Sequence, residues 1–296
     1  LKTASQASES VQAHLASASV AICGLARDCA ATLPSNRSLI EELRGCFSRS
    51  VVAVVENDSK DSTREQLELW AKECDNVFIL DGHQPKTASS YANVNLTANP
   101  YFSFSRVNKL ASLRNQYITF LHDTGFSFDY LLVLDFDVSQ ISFTGVMDSF
   151  QKRDAWDVVT AYGYSLSPLL RERYHDSFAL VPLGDQLSVK TESSIKQLQS
   201  RFALDRTSDL LLPVAAAFGG LSIYKTAGRP LPFYKAEYNQ DLRVEAVCEH
   251  VSFAAYFVLS ADSGVKINPR MHLRYQTVLD SLKRKLSNSL KKTAAE

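Results

Sequence analysis

Four short apolar runs, at 19–25, 51–56, 77–80 and 130–134, constrain this chain more than any other feature. Each is rich in β-branched residues and apolar at nearly every position, the pattern of strands buried on both faces of a parallel sheet. Helical patterns lie between them. Leu39, Ile40, Leu43 and Phe47 mark one. Asp61-Ser62-Thr63 opens a second, with Ser62 and Glu65 at capping-box spacing. Residues 106–121 form a third, with Val107, Leu110, Ala111, Ile118 and Leu121 on its apolar side. The βαβα order predicts an α/β fold, an open and mostly parallel sheet flanked by helices. Ligands of such sheets bind at the carboxyl ends of the strands.

Asp135-Phe136-Asp137 falls at such an end, where the run 130–134 stops. In extended backbone residues i and i+2 project to one side. Two carboxylates roughly 6–7 Å apart repel by about 2 kcal/mol at an effective dielectric of 20. A divalent cation would turn that repulsion into a binding site, and a hard ion such as Mg²⁺ or Mn²⁺ accepts carboxylates together with substrate phosphates.

Composition narrows the partners. Lys and Arg number 32 and Asp and Glu 32, so no bulk charge draws the chain to nucleic acid. No apolar run is long enough to span a bilayer. The chain opens at Leu1, so an upstream anchor could have been removed. Cys23, Cys29, Cys46, Cys74 and Cys248 form no C-x-x-C pair and read as reduced thiols of a cytosolic protein. Sequons at Asn36, Asn57 and Asn95 are short enough to arise by chance.

Further segments carry chemistry. Residues 54–63 run from a strand end through a polar turn to a helix start. Glu56 and Asp58 there can meet a ribose or base, and free helix amides an anion. Arg106 and Arg114 are eight apart and share a helix face suited to phosphate. Phe218-Gly219-Gly220-Leu221 places glycines inside an apolar strand expected over 214–224, a sign of close backbone approach. Residues 165–209 read as an elaborated loop region, and 91–105 as a loop that could flank a pocket. A buried helix is expected over 247–259, with Glu249 and His250 in its first turn, and 266–275 returns to the sheet. Tyr162, Tyr164 and Asp176 are candidates for an acceptor site.

Together these segments resemble the nucleotide-sugar glycosyltransferases of the GT-A fold. Residues 54–63 resemble their nucleoside-binding loop, Leu134-Asp135-Phe136-Asp137 their D-x-D, and Ala217-Phe218-Gly219-Gly220-Leu221 their glycine loop near donor and acceptor. Cys248-Glu249-His250 resembles their x-Glu-Asp, with His250 in place of the Asp that serves inverting members as base; a histidine there could accept a proton near neutral pH. More narrowly, residues 174–179, the Phe-Gly-Gly segment, Cys-Glu-His and Asn268-Pro269-Arg270 resemble the capsule-associated mannosyltransferases and their bacterial relatives.

The resemblance implies a GT-A domain over 19–275, with a nucleotide-binding half and an acceptor half. A helical extension precedes it at 1–18 and a basic amphipathic tail follows at 276–296. It implies a metal-dependent hexosyltransferase that moves a hexose, mannose being a candidate, from a GDP- or UDP-sugar to a glycan or glycolipid in surface polysaccharide synthesis. Asp135, Asp137 and His272 would hold Mn²⁺ or Mg²⁺. Arg27, Glu56, Asp58, Arg106, Arg114, Asp135, Gly219 and Gly220 would bind nucleotide and donor, and Glu249, His250 and Asp176 would act in catalysis. The expected location is the cytoplasm or the cytoplasmic membrane face, with the basic tail on anionic lipid; a Golgi-type lumenal domain is the alternative. A sugar-1-phosphate nucleotidyltransferase would need a glycine-rich phosphate loop, and Gly24-Leu25-Ala26-Arg27 holds one glycine. A non-catalytic glycan-binding protein on the same fold is the other alternative.

Overall fold

The computed structural model describes residues 4–82, 99–167, 171–186, 190–226, 228–259 and 262–275. The strands are β1 (Ser19–Ala26), β2 (Arg49–Glu56), β3 (Val77–Asp81), β4 (Tyr130–Asp135), β5 (Val138–Ser139), β6 (Val158–Leu166), β7 (Glu172–Tyr174), β8 (Leu212–Val214), β9 (Leu221–Lys225), β10 (Glu237–Tyr238), β11 (Ala246–Val247) and β12 (Val265–Tyr275). The helices are α1 (Ala4–Leu15), α2 (Leu33–Arg44), α3 (Thr63–Glu73), α4 (Phe104–Asp123), α5 (Phe143–Gln151), α6 (Glu192–Arg201) and α7 (Glu249–Phe257).

The main sheet runs β3-β2-β1-β4-β9-β6-β12-β5. Strands β3, β2, β1 and β4 are mutually parallel, as are β6 and β12. Strand β9 lies antiparallel between β4 and β6. The result is the open, mostly parallel sheet flanked by helices that the sequence predicts. Alternation along β1 divides the core. Ala21 and Cys23 pack with α4 and α7 on one face, and Val20 and Ile22 with α2, α3 and α5 on the other. Val11 and Leu15 of α1 join the second layer.

Local differences from the sequence reading have physical causes. The expected strand over 214–224 is two strands, since Gly219 and Gly220 at φ +66° and +84° turn the chain between β8 and β9. Ser62 is the N-cap of α3 but makes no side-chain cap bond; Asp61 takes that role, its Oδ1 accepting from Thr63 N at 3.0 Å. The region 165–209 holds β7 and α6, the latter opened by a Thr191–Ser194 capping box. The tail 276–296 and residues 83–98, which include most of the loop expected at 91–105, lie outside the described residues. All five cysteines are free.

Candidate active site

The Asp135-Phe136-Asp137 turn is held from beneath. Thr32 Oγ1 and Asn36 Nδ2, at the start of α2, donate to Phe136 O at 2.7 and 3.0 Å, and Asn36 also reaches Val138 O at 3.0 Å. Asn36 is 2% exposed, so its sequon is structural. The Phe136 ring is buried and meets Trp70 edge-on. Extended geometry ends at Asp135, so the two acids do not share one environment. Asp135 turns inward, while Asp137, in the turn, is exposed.

Both oxygens of Asp135 are engaged. Arg114 donates Nη2 to Oδ1 at 3.2 Å, and Tyr275 Oη donates to Oδ2 at 3.4 Å. Arg114 also donates Nε to Glu249 Oε1 at 3.2 Å. This buried guanidinium, from the middle of α4, ties the end of β4 to the first turn of α7. Burial raises the Asp135 carboxyl, and the Arg114 charge opposes that rise. Asp137 is raised by desolvation and then by the Asp135 charge. Asp137 makes no ion pair among the described residues, which leaves its carboxylate for a ligand in the cleft.

That cleft, of about 470 Å³, opens over the carboxyl ends of β1, β2 and β4. Arg27, Asn57, Arg106, Lys109, Arg114, Asp135 and Asp137 line it. The loops after β1 and β2 are stitched together there: Asp28 accepts from Lys60 N at 2.7 Å, and Asp61 from Ala30 N at 3.1 Å. Glu56 does not line the cleft. It is fully buried, accepts from Ser59 N at 2.7 Å and pairs with Arg64 at 2.8 Å, so it shapes the loop. Asp58 is exposed at φ +53° and is not among the lining residues. Asn57, one residue earlier, is.

Residues beside β9 and at the end of β12 meet this hub from the other side. A Cβ on Gly219 would lie 2.0 Å from Ala161 O, and one on Gly220 2.7 Å from Tyr275 Oη. The glycines therefore admit the protein's own backbone and the tyrosine that holds Asp135, where a donor sugar was expected. Gly219 N donates to Asp176 at 3.0 Å. Desolvation, with Asp135 and Glu249 adding to it, raises the Asp176 carboxyl to about 7. Lys190, 8% exposed, donates Nζ to the carbonyls of Ser177, Phe178 and Leu180 and so fixes the loop behind Asp176.

Three expectations are corrected here. His272 does not reach the aspartates. It lies three residues from Tyr275 on β12, an odd offset that puts it on the opposite face, beside Tyr164, Arg206 and Arg270. Among the described residues no third His, Cys, Asp or Glu completes a metal cluster. His250 is 3% exposed and stacked on Phe218 at 3.6 Å, with neither ring nitrogen hydrogen-bonded. Burial and then Arg114 hold it well below its ordinary value, so it is a neutral packing group and a poor base. Tyr162 is core, fully buried between Tyr164 and Tyr174.

Sequence reasoning missed Asn57, Lys109 and Tyr275 as site residues. Lys109 sits three residues after Arg106 on the face already singled out, so helical spacing carried its signal. Tyr275 is 140 residues from Asp135, and only the fold joins them.

The family model described as Cryptococcal mannosyltransferase 1 matches residues 28–256, well over half of the chain. No curated protein sequence matches it. Similar solved structures include mannosyltransferase PcManGT from Pyrobaculum calidifontis in complex with GDP-Man and Mn²⁺, at 11% identity and TM-score 0.45, covering 87% of this chain and 56% of that one. S. aureus TarS 1–349 has 12% identity and TM-score 0.43, covering 90% and 62%. Glucosyl-3-phosphoglycerate synthase from Mycobacterium tuberculosis, in complex with Mn²⁺, UDP-glucose and phosphoglyceric acid, has 13% identity and TM-score 0.32, covering 53% and 48%. The chain spans less than two thirds of each of these three proteins. The match over residues 28–256 makes this chain a member of the cryptococcal mannosyltransferase 1 family.

Proposed function

We propose that the protein transfers a hexose, with mannose the first candidate, from a GDP- or UDP-sugar to a glycan or glycolipid acceptor in surface polysaccharide synthesis, with Mn²⁺ or Mg²⁺ as cofactor. The supporting observation is the placement of Asp137, an exposed carboxylate without an ion pair, in a cleft that also presents Arg27, Arg106 and Lys109. The donor set suits a hard divalent ion. It offers one open carboxylate and a second, Asp135, whose charge already raises the first. Asp137 and Asp135 would hold the ion, which supplies charge stabilisation to a departing diphosphate.

The chain's own residues do the rest. Arg27, Arg106 and Lys109 offset phosphate charge, and Asn57 presents an amide to the nucleoside. Arg114 fixes Asp135 and Glu249 relative to each other, so its role is positioning. In this proposal Asp176, which accepts from Gly219 N and is raised to about 7 by desolvation, would exchange a proton or hydrogen bond with a sugar hydroxyl. Contact of the basic tail 276–296 with anionic lipid, and residence at the cytoplasmic membrane face, belong to the same proposal.

The nucleotidyltransferase reading gains no support. A Cβ on Gly24 would sit 2.1 Å from Leu134 O, so this glycine serves strand packing. Release of nucleoside diphosphate from GDP-mannose or a UDP-hexose in Mn²⁺ buffer tests the proposal. Pyrophosphate release from a nucleoside triphosphate and sugar phosphate would instead favour the nucleotidyltransferase.

A further inference from the structure

Beyond the start of α4 lies a surface unusually apolar for one facing water. Tyr101 is 71% exposed, Tyr238 73% and Leu242 75%. Tyr238 stacks on Phe104 with centroids 4.0 Å apart and planes 10° from parallel, so one ring face is covered and the other is presented outward. Polar bonds knit the two segments that carry these rings. Asn99 N donates to Arg243 O at 3.0 Å, and Phe104 N donates to the Glu245 carboxylate at 3.0 Å. The rings are therefore mounted on a fixed support, and contiguous exposed apolar surface of this kind marks a binding site.

The surface is continuous with the donor cleft. Arg106, which lines the cleft, donates Nη1 to Tyr101 O at 3.1 Å. We propose that Tyr101 and Tyr238 form the acceptor subsite, and that the acceptor is a neutral oligosaccharide of several hexoses whose pyranose C–H faces lie on these rings. This rests on the reading of the cleft as the donor site. Flat, outward-facing rings match the apolar face of a sugar ring better than an acyl chain, which needs a groove to surround it. The neighbouring charges are of both signs: Lys235, Arg243 and Arg106 stand among Glu237, Asp241 and Glu245, with Arg243 3.6 Å from Glu192 and Glu245 accepting the Phe104 amide. The platform thus carries no excess of either sign that would select an ionic acceptor.

The test uses the full chain as wild type, Tyr101→Ala, Tyr238→Ala and the double variant. Saturation-transfer NMR measures binding of neutral hexose oligosaccharides of increasing length. Calorimetry with GDP and with UDP in Mn²⁺ measures the donor site. The expected result is binding that strengthens with oligosaccharide length and falls about tenfold in the double variant, as expected when two stacking faces are removed. Nucleotide affinity should stay unchanged. Failure of every oligosaccharide to bind, or binding that is equal in the double variant, overturns the platform. Loss of nucleotide affinity in the Tyr variants also overturns it, because the rings would then stack on the base. A wild type that binds oligosaccharide through these tyrosines but no nucleotide refutes the donor reading and leaves the platform standing.

Discussion

Asp176 accepts the Gly219 amide hydrogen while burial, with Asp135 and Glu249 behind it, raises its carboxyl to about 7. A folded-state value above the unfolded one means that the folded form holds the proton more tightly. The resulting stability is complete below about pH 4 and is lost as pH rises through 7. Asp176→Asn should remove that slope. Urea denaturation should find the variant more stable than wild type at pH 8, on the order of 1–2 kcal/mol once solvent screening is allowed for, and nearly equal at pH 4.5. His175, held at about 4 by burial, works in the opposite sense, its contribution lost as pH falls from 6.5 toward 4. The difference between variant and wild type is therefore the quantity to read. If Asp176→Asn also lowers transferase activity at pH 8, one residue carries a cost in stability for a gain in function. Gly219 gives a second prediction at this scale. Its φ of +66° and the 2.0 Å approach of a Cβ to Ala161 O should make Gly219→Ala cost about 2–4 kcal/mol, read as a drop in denaturation midpoint.

Helix α4 organises the site because its buried Arg114 serves Asp135 on one side and Glu249 on the other. Removing the cation would leave two carboxylates desolvated together. Arg114→Met should destabilise the protein by about 3–5 kcal/mol by urea titration, and addition of Glu249→Gln should recover part of that loss. The register of β12 on β6 shifts between Asn268 and His272, and this bulge is the second organiser. Asn268 donates to Asp148 and Ser149 of α5 at 3.0 and 2.8 Å, and α5 approaches so closely that a Cβ on Gly145 would lie 1.9 Å from Arg270 O. Asn268-Pro269-Arg270, singled out by resemblance, is thus a structural seam. The elements most legible in the sequence were those whose signal is local. Strands β1, β2 and β4 are apolar on both faces, and Asp135 breaks such a run, so the carboxyl-end site could be read directly. The reversal of β9, the bulge and the Tyr275–Asp135 contact depend on pairings between distant segments. His272 was misplaced for the same reason: its strand was expected, but the face it occupies follows from a register that no local pattern encodes.

For the whole molecule, the sheet order brings the ends of β1, β2 and β4 to one cleft, and β9 carries Gly219 and Gly220 to its edge. On the proposed reading, donor and metal would bind on that side, with acceptor-side residues across the Arg114 hub. With zero net charge, the proposed phosphate recognition would rest on the few cations in the cleft. A ligand that binds only the folded state must raise its apparent stability, by about 2.7 kcal/mol at a hundredfold excess over Kd. Thermal unfolding of wild type and Asp137→Asn with GDP and with UDP, each with and without Mn²⁺, therefore tests the central claim most directly. One nucleotide should raise the wild-type Tm by several degrees only when the metal is present, and Asp137→Asn should abolish the shift. A shift of equal size without metal, retained in Asp137→Asn, would contradict that claim.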